Sequence, residues 1–383
     1  MYANDLKITP LESAAKEVAP KYAVEYPLPA AGQTHELTVI DDRMIVLSQQ
    51  SDSTLVKVAL DDEGRPTQAR SFLIGTPRSG LHGVAASTTH PGKIWLTLQF
   101  DSALVLIDPV IDDVNAAPII EKYIKVPAPG RGPHVVQEYG NELWSSLKDS
   151  HHVLYINQDD PEDYALYPVS RTPVFVAKHP TSGDVYASID ASSKISRVHV
   201  DTGEVSEYSI PMDVGSTVVG LIDGPDGNVW FVLLGAMTGP TGTFGKVTAD
   251  GEVHFIQLPN AQGKTAGLLH LAFPPQDKGP RLFLMSSSIG TATAINAVFD
   301  VTFDEGYNRI ETISTVTLPT QYSKAHRVFH TNKGLYVTEL SVSGICHIRT
   351  GFQDNLPVVD ETSDYYADFG MGSEQASVDY LRP

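Results

Sequence analysis

One phrase recurs seven times along the 383 residues: a short strand-like run that ends at, or close to, a proline. It reads Glu25-Tyr26-Pro27-Leu28-Pro29, then Phe72-Leu73-Ile74 ahead of Pro77, then Tyr123-Ile124-Lys125-Val126-Pro127. It returns as Tyr164-Ala165-Leu166-Tyr167-Pro168, Tyr208-Ser209-Ile210-Pro211, Phe255-Ile256-Gln257-Leu258-Pro259 and Val316-Thr317-Leu318-Pro319. Prolines 29, 77, 127, 168, 211, 259 and 319 are 48, 50, 41, 43, 48 and 60 residues apart. A period of 40–50 residues, with only strand-like segments and Gly, Asp and Asn turns between, is the spacing of sheets stacked as blades around a ring. Proline suits the outermost strand of such a sheet, because it has no N–H to donate to a further ladder. Helical periodicity is confined to a weak stretch around Leu11–Val18.

A second landmark sits inside each repeat. An aromatic residue leads a strand at Trp95, Trp144, Tyr186, Trp230, Phe283 and Tyr336, and all three tryptophans fall in this slot. A ring there is expected to wedge one blade against the next. The first repeat departs, with Arg43-Met44-Ile45-Val46. Seven outer and seven inner strands predict an all-β fold, a seven-bladed β-propeller closed by its N-terminal outer strand. Residues 23–28 should complete the last blade beside 345–349, leaving no open sheet edge. The predicted organisation is an N-terminal extension (1–22), the propeller (23–350) and a C-terminal tail (351–383), with an insertion at 286–300 in the long sixth repeat.

Charge and cysteine content narrow the function. With 27 Lys and Arg against 46 Asp and Glu, the net charge of −19 argues against nucleic acid or anionic membrane as partner, both of which need clustered cations. A single cysteine excludes an internal disulfide and any multi-cysteine metal site. No long apolar run opens or interrupts the chain, and the expectation is a soluble, cytoplasmic protein.

The start of the inner strand carries the chemistry. Histidine occupies that slot in five repeats, as His35, His82, His134, His270 and His326, with Val174 and Val219 in the others. Equivalent inner-strand positions form a ring around the central channel, so these imidazoles could bind a metal, act as acid or base near neutral pH, or donate to an anion. The loops feeding the inner strands (30–34, 78–81, 128–133, 169–173, 212–217, 260–269, 320–325) hold Arg78, Arg131, Arg171, Lys264 and Lys324 against one acid, Asp213. One face of an acidic protein is therefore locally cationic, with Tyr322 beside Lys324. That suits a small-molecule substrate that is anionic, phenolic or enolic, or negative charge developing on oxygen. Gly239, Gly242 and Gly245 do not form a dinucleotide fingerprint, and no nucleophile elbow or H-E-x-x-H run occurs. Asp223-Gly224-Pro225-Asp226-Gly227 reads as a hairpin turn, and Cys346 as a small core residue.

The segments Gly80-Leu81-His82-Gly83-Val84, Gly92-Lys93-Ile94-Trp95-Leu96-Thr97, Gly132-Pro133-His134-Val135, Ala325-His326-Arg327-Val328 and Gly334-Leu335-Tyr336-Val337-Thr338-Glu339 resemble the repeat of the streptogramin B (virginiamycin B) lyases, over roughly residues 23–350. The resemblance implies a seven-bladed propeller and C–O elimination by a histidine base, with Mg²⁺ held near glutamate as the one cofactor. Only His326 with Glu339 keeps both residues in one repeat. Elsewhere the glutamate slot holds Leu98, Leu147, Ile189 or Leu233, three of them followed by Gln99, Lys148 and Asp190, which become candidate substrate contacts. In length and expected architecture the chain also resembles the fungal hetero-Diels–Alderases of tropolone–sesquiterpenoid pathways. That likeness implies dehydration to a quinone methide followed by cycloaddition.

The expected function is a lyase or cyclase acting on a small natural product in the central pocket. His326 would be acid or base with Glu339 orienting it, and His82, His134 and His270 would share the catalytic work. His35, Arg78, Gln99, Arg131, Lys148, Arg171, Asp190, Tyr322 and Lys324 would bind substrate. The residues themselves call for no metal. A Mg-dependent streptogramin-type lyase and a non-catalytic interaction scaffold are the alternatives.

Overall fold

The computed structural model describes residues 5–7, 22–236, 239–259, 263–274, 278–290 and 294–349. Its strands form seven antiparallel sheets, six of four strands and one of five. The inner strands are Leu37–Ile40, Leu81–Ala86, Pro133–Tyr139, Pro173–Lys178, Val218–Asp223, Leu268–Ala272 and Ala325–Thr331, in blades 1 to 7. Ala23–Pro27 pairs antiparallel with Gly344–Ile348, so blade 7 is assembled from both ends of the ring, as the proline-ended phrase at 25–29 predicts. Asp5–Lys7, inside the expected extension, adds a fifth strand beyond Pro66–Leu73 of blade 1. The weak helical stretch at 11–18 and the tail at 351–383 lie outside the described residues.

The aromatic slot is buried throughout. Trp95, Trp144, Tyr186, Trp230, Phe283 and Tyr336 each sit at one register of the second strand. Blade 1 has Val46 at that register, opposite Thr38. Each indole N–H finds a carboxylate: Trp95 donates to Glu138 at 3.0 Å, Trp144 to Glu142 at 2.9 Å and Trp230 to Asp226 at 2.8 Å. These pairings are what allow so large a ring with a polar edge to be buried. The sixth-repeat insertion is narrower than the sequence indicated. Ser286 ends one strand and Ala297–Phe303 is the next, so the connection is 287–296 and Ala297–Asp300 belong to the ladder.

A repeated stitch holds neighbouring blades at the channel. In blade 2 the Thr97 hydroxyl accepts the Gly83 N–H at 2.7 Å and donates to the His134 carbonyl of blade 3 at 3.1 Å. In blade 3 Ser146 accepts from Val135 N–H and donates to the Val174 carbonyl of blade 4. Thr338 of blade 7 does the same between Arg327 N–H and the His35 carbonyl, and Ser48 of blade 1 between Glu36 N–H and the His82 carbonyl. In blades 2, 3 and 7 a bulge at the start of the inner strand leaves these backbone groups off the ladder, and the hydroxyls satisfy them.

Candidate functional site

Register places the first inner-strand residue that does not pair directly, so equivalent positions can be compared blade by blade. Leu81 pairs with Leu98, Pro133 with Leu147, Leu268 with Ser286 and Ala325 with Glu339. The next residue in each blade is therefore His82, His134, Leu269 and His326. His35, Val174 and Val219 fill the other three places. His270, expected in this ring, lies one residue further along, level with Glu36, Gly83, Val135, Phe175, Gly220 and Arg327. The slot thus holds four histidines on the consecutive blades 7, 1, 2 and 3, faced by three aliphatic residues on blades 4, 5 and 6.

The four imidazoles touch. Ring centroids are 4.6 Å apart for His326 and His35, 4.5 Å for His35 and His82, and 3.8 Å for His82 and His134. At about 4 Å two imidazolium charges repel by roughly 4 kcal/mol at an effective dielectric of 20, so the rings cannot all be protonated. Burial is the first cause that pushes His35, His82 and His134 well below the ordinary histidine range, with neighbouring histidines and Lys148 adding to it. His326 is brought down to about 4 by burial, then by Arg327 and Lys148. At neutral pH the cluster is uncharged.

Two tautomers are fixed by the backbone. His82 Nδ1 lies 2.8 Å from the His134 carbonyl, and His134 Nδ1 lies 2.9 Å from the Val174 carbonyl. A carbonyl only accepts, so both rings carry the proton on Nδ1 and keep Nε2 as the basic nitrogen.

One residue further along the inner strands lies a charged layer. Arg327 Nη1 pairs with Glu36 Oε2 at 3.2 Å, donates to His270 Nε2, and its guanidinium lies 5.8 Å from the Phe175 ring centre. It thereby reaches blades 1, 6 and 4 from blade 7, crossing the axis beneath the histidines. Glu36 Oε1 is 3.6 Å from His326 Nδ1. Burial raises the Glu36 carboxyl and lowers the Arg327 guanidinium, each partly restored by the other. Glu36 Oε1, Arg327 Nε and the Nδ1 atoms of His35, His270 and His326 are buried without a hydrogen-bond partner. Two of these atoms, Glu36 Oε1 and His326 Nδ1, face each other at 3.6 Å; the others are buried polar atoms that a bound polar group or water would satisfy.

The expected pairing of His326 with Glu339 is not what the structure shows. Glu339 occupies the register of Leu98 and Leu147, a position whose side chain faces the sheet packing rather than the channel. Its Oε2 lies over Gly344, and the Glu25 carboxylate of the closing strand is the neighbour that, after burial, raises its pKa to about 8. The carboxylate at His326 is Glu36, from the next blade around. Alternation along the strand is the reason: Thr338 points inward to the His35 carbonyl, so Glu339 must point away.

The remaining expected contacts divide. Lys148 is half-buried, and its charge acts on His35, His82, His134 and His326. Gln99 is buried and accepts from Gln50 at 2.7 Å. Asp190 has a buried oxygen without a partner. Gln50, Gln99, Lys148 and Asp190 form one polar arc above blades 1 to 4, while Leu234 and Leu340 hold equivalent places on blades 5 and 7. Arg78, Arg131, Arg171, Lys324 and Tyr322 are exposed on loops of the same face, as is Lys264. Sequence reasoning missed Glu36 and Arg327. Both follow a slot histidine directly, in blades that become neighbours only when the ring closes.

The implied Mg²⁺ ion does not fit these residues. Mg²⁺ requires an octahedral set of oxygens. Glu339 faces Glu25 rather than the channel, Glu36 is occupied by Arg327, the donors in contact with His326 are otherwise imidazoles, and on the arc above only Asp190 supplies a carboxylate. Among the described residues no group of three or more His, Cys, Asp or Glu converges to hold a metal. Among them, too, no helix is long and apolar enough to cross a membrane.

No protein-family model and no curated protein matches the chain. Solved structures do. Virginiamycin B lyase from Staphylococcus aureus matches at 17% identity and a TM-score of 0.66, covering 85% of this chain and 98% of that one. A streptogramin B lyase matches at 19% and 0.65, covering 86% and 98%. The WD40 β-propeller domain of Doa1 matches at 12% and 0.60, covering 85% and 96%. Lyases and a WD40 domain match almost equally well, and at these identities the likeness establishes the propeller fold.

Proposed function

We propose that the protein is a lyase or cyclase that eliminates water or alkoxide from a small phenolic or enolic natural product in the central pocket. The observation that carries this reading is the set of orphaned buried polar atoms on Glu36, Arg327, His35, His270 and His326, gathered around neutral imidazoles. His326 is the acid–base residue. Glu36 beside Nδ1 favours the imidazolium that forms when Nε2 takes a proton. The phenol or enol O–H gives its proton to His326, the C–O bond at the adjacent hydroxymethyl carbon breaks, and the same proton leaves with the hydroxide as water. Lys148 and Arg327 stabilise the oxyanion, and its charge restores basicity to His326 as it forms. The quinone methide so produced would be held for cycloaddition against the aliphatic wall of Val174, Val219 and Leu269. His82, His134 and His35 shape the oxyanion side, while Gln99 and Asp190 contact the substrate at the mouth.

The test uses 2-(hydroxymethyl)phenol with a thiol that captures the quinone methide. The expected result is thiol adduct formation that chelation leaves intact and that His326→Ala lowers by about 10²–10⁴-fold in kcat. Virginiamycin B is assayed in parallel. Ring opening that stops on chelation, without phenol dehydration, would replace this reading with the streptogramin-type reaction. Inactivity on both probes, with His326→Ala no different from the parent, would overturn the enzymatic reading.

A further inference from the structure

The same pocket has a property that dehydration does not require. Its wall is a line of four imidazoles at 3.8–4.6 Å centroid spacing, too close for two of them to be charged together. The fixed charges facing that line are Glu36 and Arg327, which neutralise one another, and Lys148 at the mouth. His270 is tied to Arg327 and does not join the stack. Lys148 is thus the cation whose charge bears on all four rings, with Asp190 on the same arc, and the rings offer four proton acceptors, of which His326 has Glu36 at 3.6 Å from Nδ1 and His35 Nδ1 has no hydrogen-bond partner. An anion entering such a site cancels the field of Lys148, and one ring can then hold a proton that it could not hold before.

We propose that the histidine wall is an oxyanion site that takes up a single proton together with its ligand, a monoanionic oxygen acid. The proposal rests on the functional reading above for the location of the site, and extends it to the charge of the ligand and the stoichiometry of protons. One proton, rather than two, follows from ring spacing; a monoanion, rather than a dianion, follows from Lys148 being the cation whose charge bears on all four rings, while Arg327 is paired with Glu36 and Arg78, Arg131, Arg171 and Lys324 lie exposed on the loops. Burial, which holds all four rings in their neutral form at pH 7, is consistent with this linkage.

Benzoate, fully ionised near neutrality and unreactive, is the probe. Its binding to the full chain is followed by titration calorimetry at pH 7 in phosphate and in Tris, whose different ionisation enthalpies report proton uptake. Uptake of close to one proton is expected, with affinity rising about tenfold for each unit that pH falls from 8 to 6, as linkage to one proton requires. Lys148→Met should weaken binding at least tenfold while leaving the fold, checked by circular dichroism, unchanged. His82→Gln with His134→Gln, two rings from the middle and end of the line, should reduce the uptake. Benzoate binding without proton uptake, or no saturable binding at millimolar concentrations, overturns the proposal. Dehydration of 2-(hydroxymethyl)phenol alongside either of those results would leave the catalytic reading standing and remove only this one. Proton-linked binding without turnover would do the reverse.

Discussion

At the scale of single residues, the site is organised by a pair of opposite charges that follow consecutive slot histidines around the ring closure. Glu36 is buried and Arg327 largely so, and each is the other's ion partner. Removing one member leaves the other charged and unpaired, so Glu36→Ala should cost about 3–5 kcal/mol in denaturant unfolding. Glu36→Gln, which keeps the volume, separates catalysis from folding. In the proposed reaction His326 must be neutral to accept a proton, so kcat/KM should rise as pH increases through about 4 and then level off. Lys148 is among the charges that lower that value, and Lys148→Met should move the acid limb to higher pH. A limb that stays in place in Lys148→Met would remove Lys148 from the site. These two charges were within reach of the sequence: Thr34-His35-Glu36 and Ala325-His326-Arg327 are register mates. Their proximity depends on ring closure, which no local pattern displays. His270 was misplaced for a simpler reason. Counted from the preceding glycine, His82 and His134 are second after Gly80 and Gly132, whereas His270 is third after Gly267.

At the scale of strands, two devices set stability. The hydroxyl stitch joins adjacent blades where the inner-strand bulge leaves backbone groups unpaired. Thr97→Val keeps the shape but orphans the Gly83 N–H, and should lower unfolding free energy by about 1–3 kcal/mol. The other device is the acid pair at the closing strand. Glu339 is raised from 4.5 to about 8, first by burial and then by Glu25. A carboxyl with a raised folded pKa supports the fold fully below its unfolded value, and that support fades as pH climbs through the folded one. Thermal stability should therefore fall from about pH 5 to pH 9, and Glu339→Gln should flatten that slope. A slope that persists unchanged in Glu339→Gln would assign the effect to other groups. The strands themselves were legible, because period-two alternation, terminal prolines and the aromatic slot each repeat seven or nearly seven times. The direction of Glu339 was not, since a glutamate in a core register looks, in one-dimensional text, like a glutamate at the end of a strand beside a histidine.

At the scale of the whole molecule, the channel is divided lengthwise. Blades 7, 1, 2 and 3 present imidazole, and above them on blades 1 to 4 sits a polar arc; blades 4, 5 and 6 present Val174, Val219 and Leu269. This division follows from a sequence in which the blades share their form but not their slot residue, and under the proposed function it would set the orientation of a substrate with one acidic oxygen. The ring that supports it is closed by Ala23–Pro27, with Glu25 accepting from both Thr320 N–H and its hydroxyl, and Leu28 N–H donating to Ser343. Deleting residues 1–28 should leave blade 7 with an open edge. The shortened protein should lose its cooperative thermal transition or bind a dye for exposed apolar surface, measured beside the full chain.

That closure also governs how the chain must be made. Ser343 donates to the Ala31 carbonyl across 312 positions, and among the described residues the strand preceding Ala31 has no other ladder partner. At about 5–20 residues per second, a ribosome needs roughly 15–60 s between releasing the first part of blade 7 and releasing the rest. Throughout that interval the nascent chain carries a solitary ribbon and a row of finished sheets with nothing to lock against. Two such chains on one message could complete each other as readily as themselves, so the yield of monomer should depend on translation density more than on the intrinsic strength of any blade.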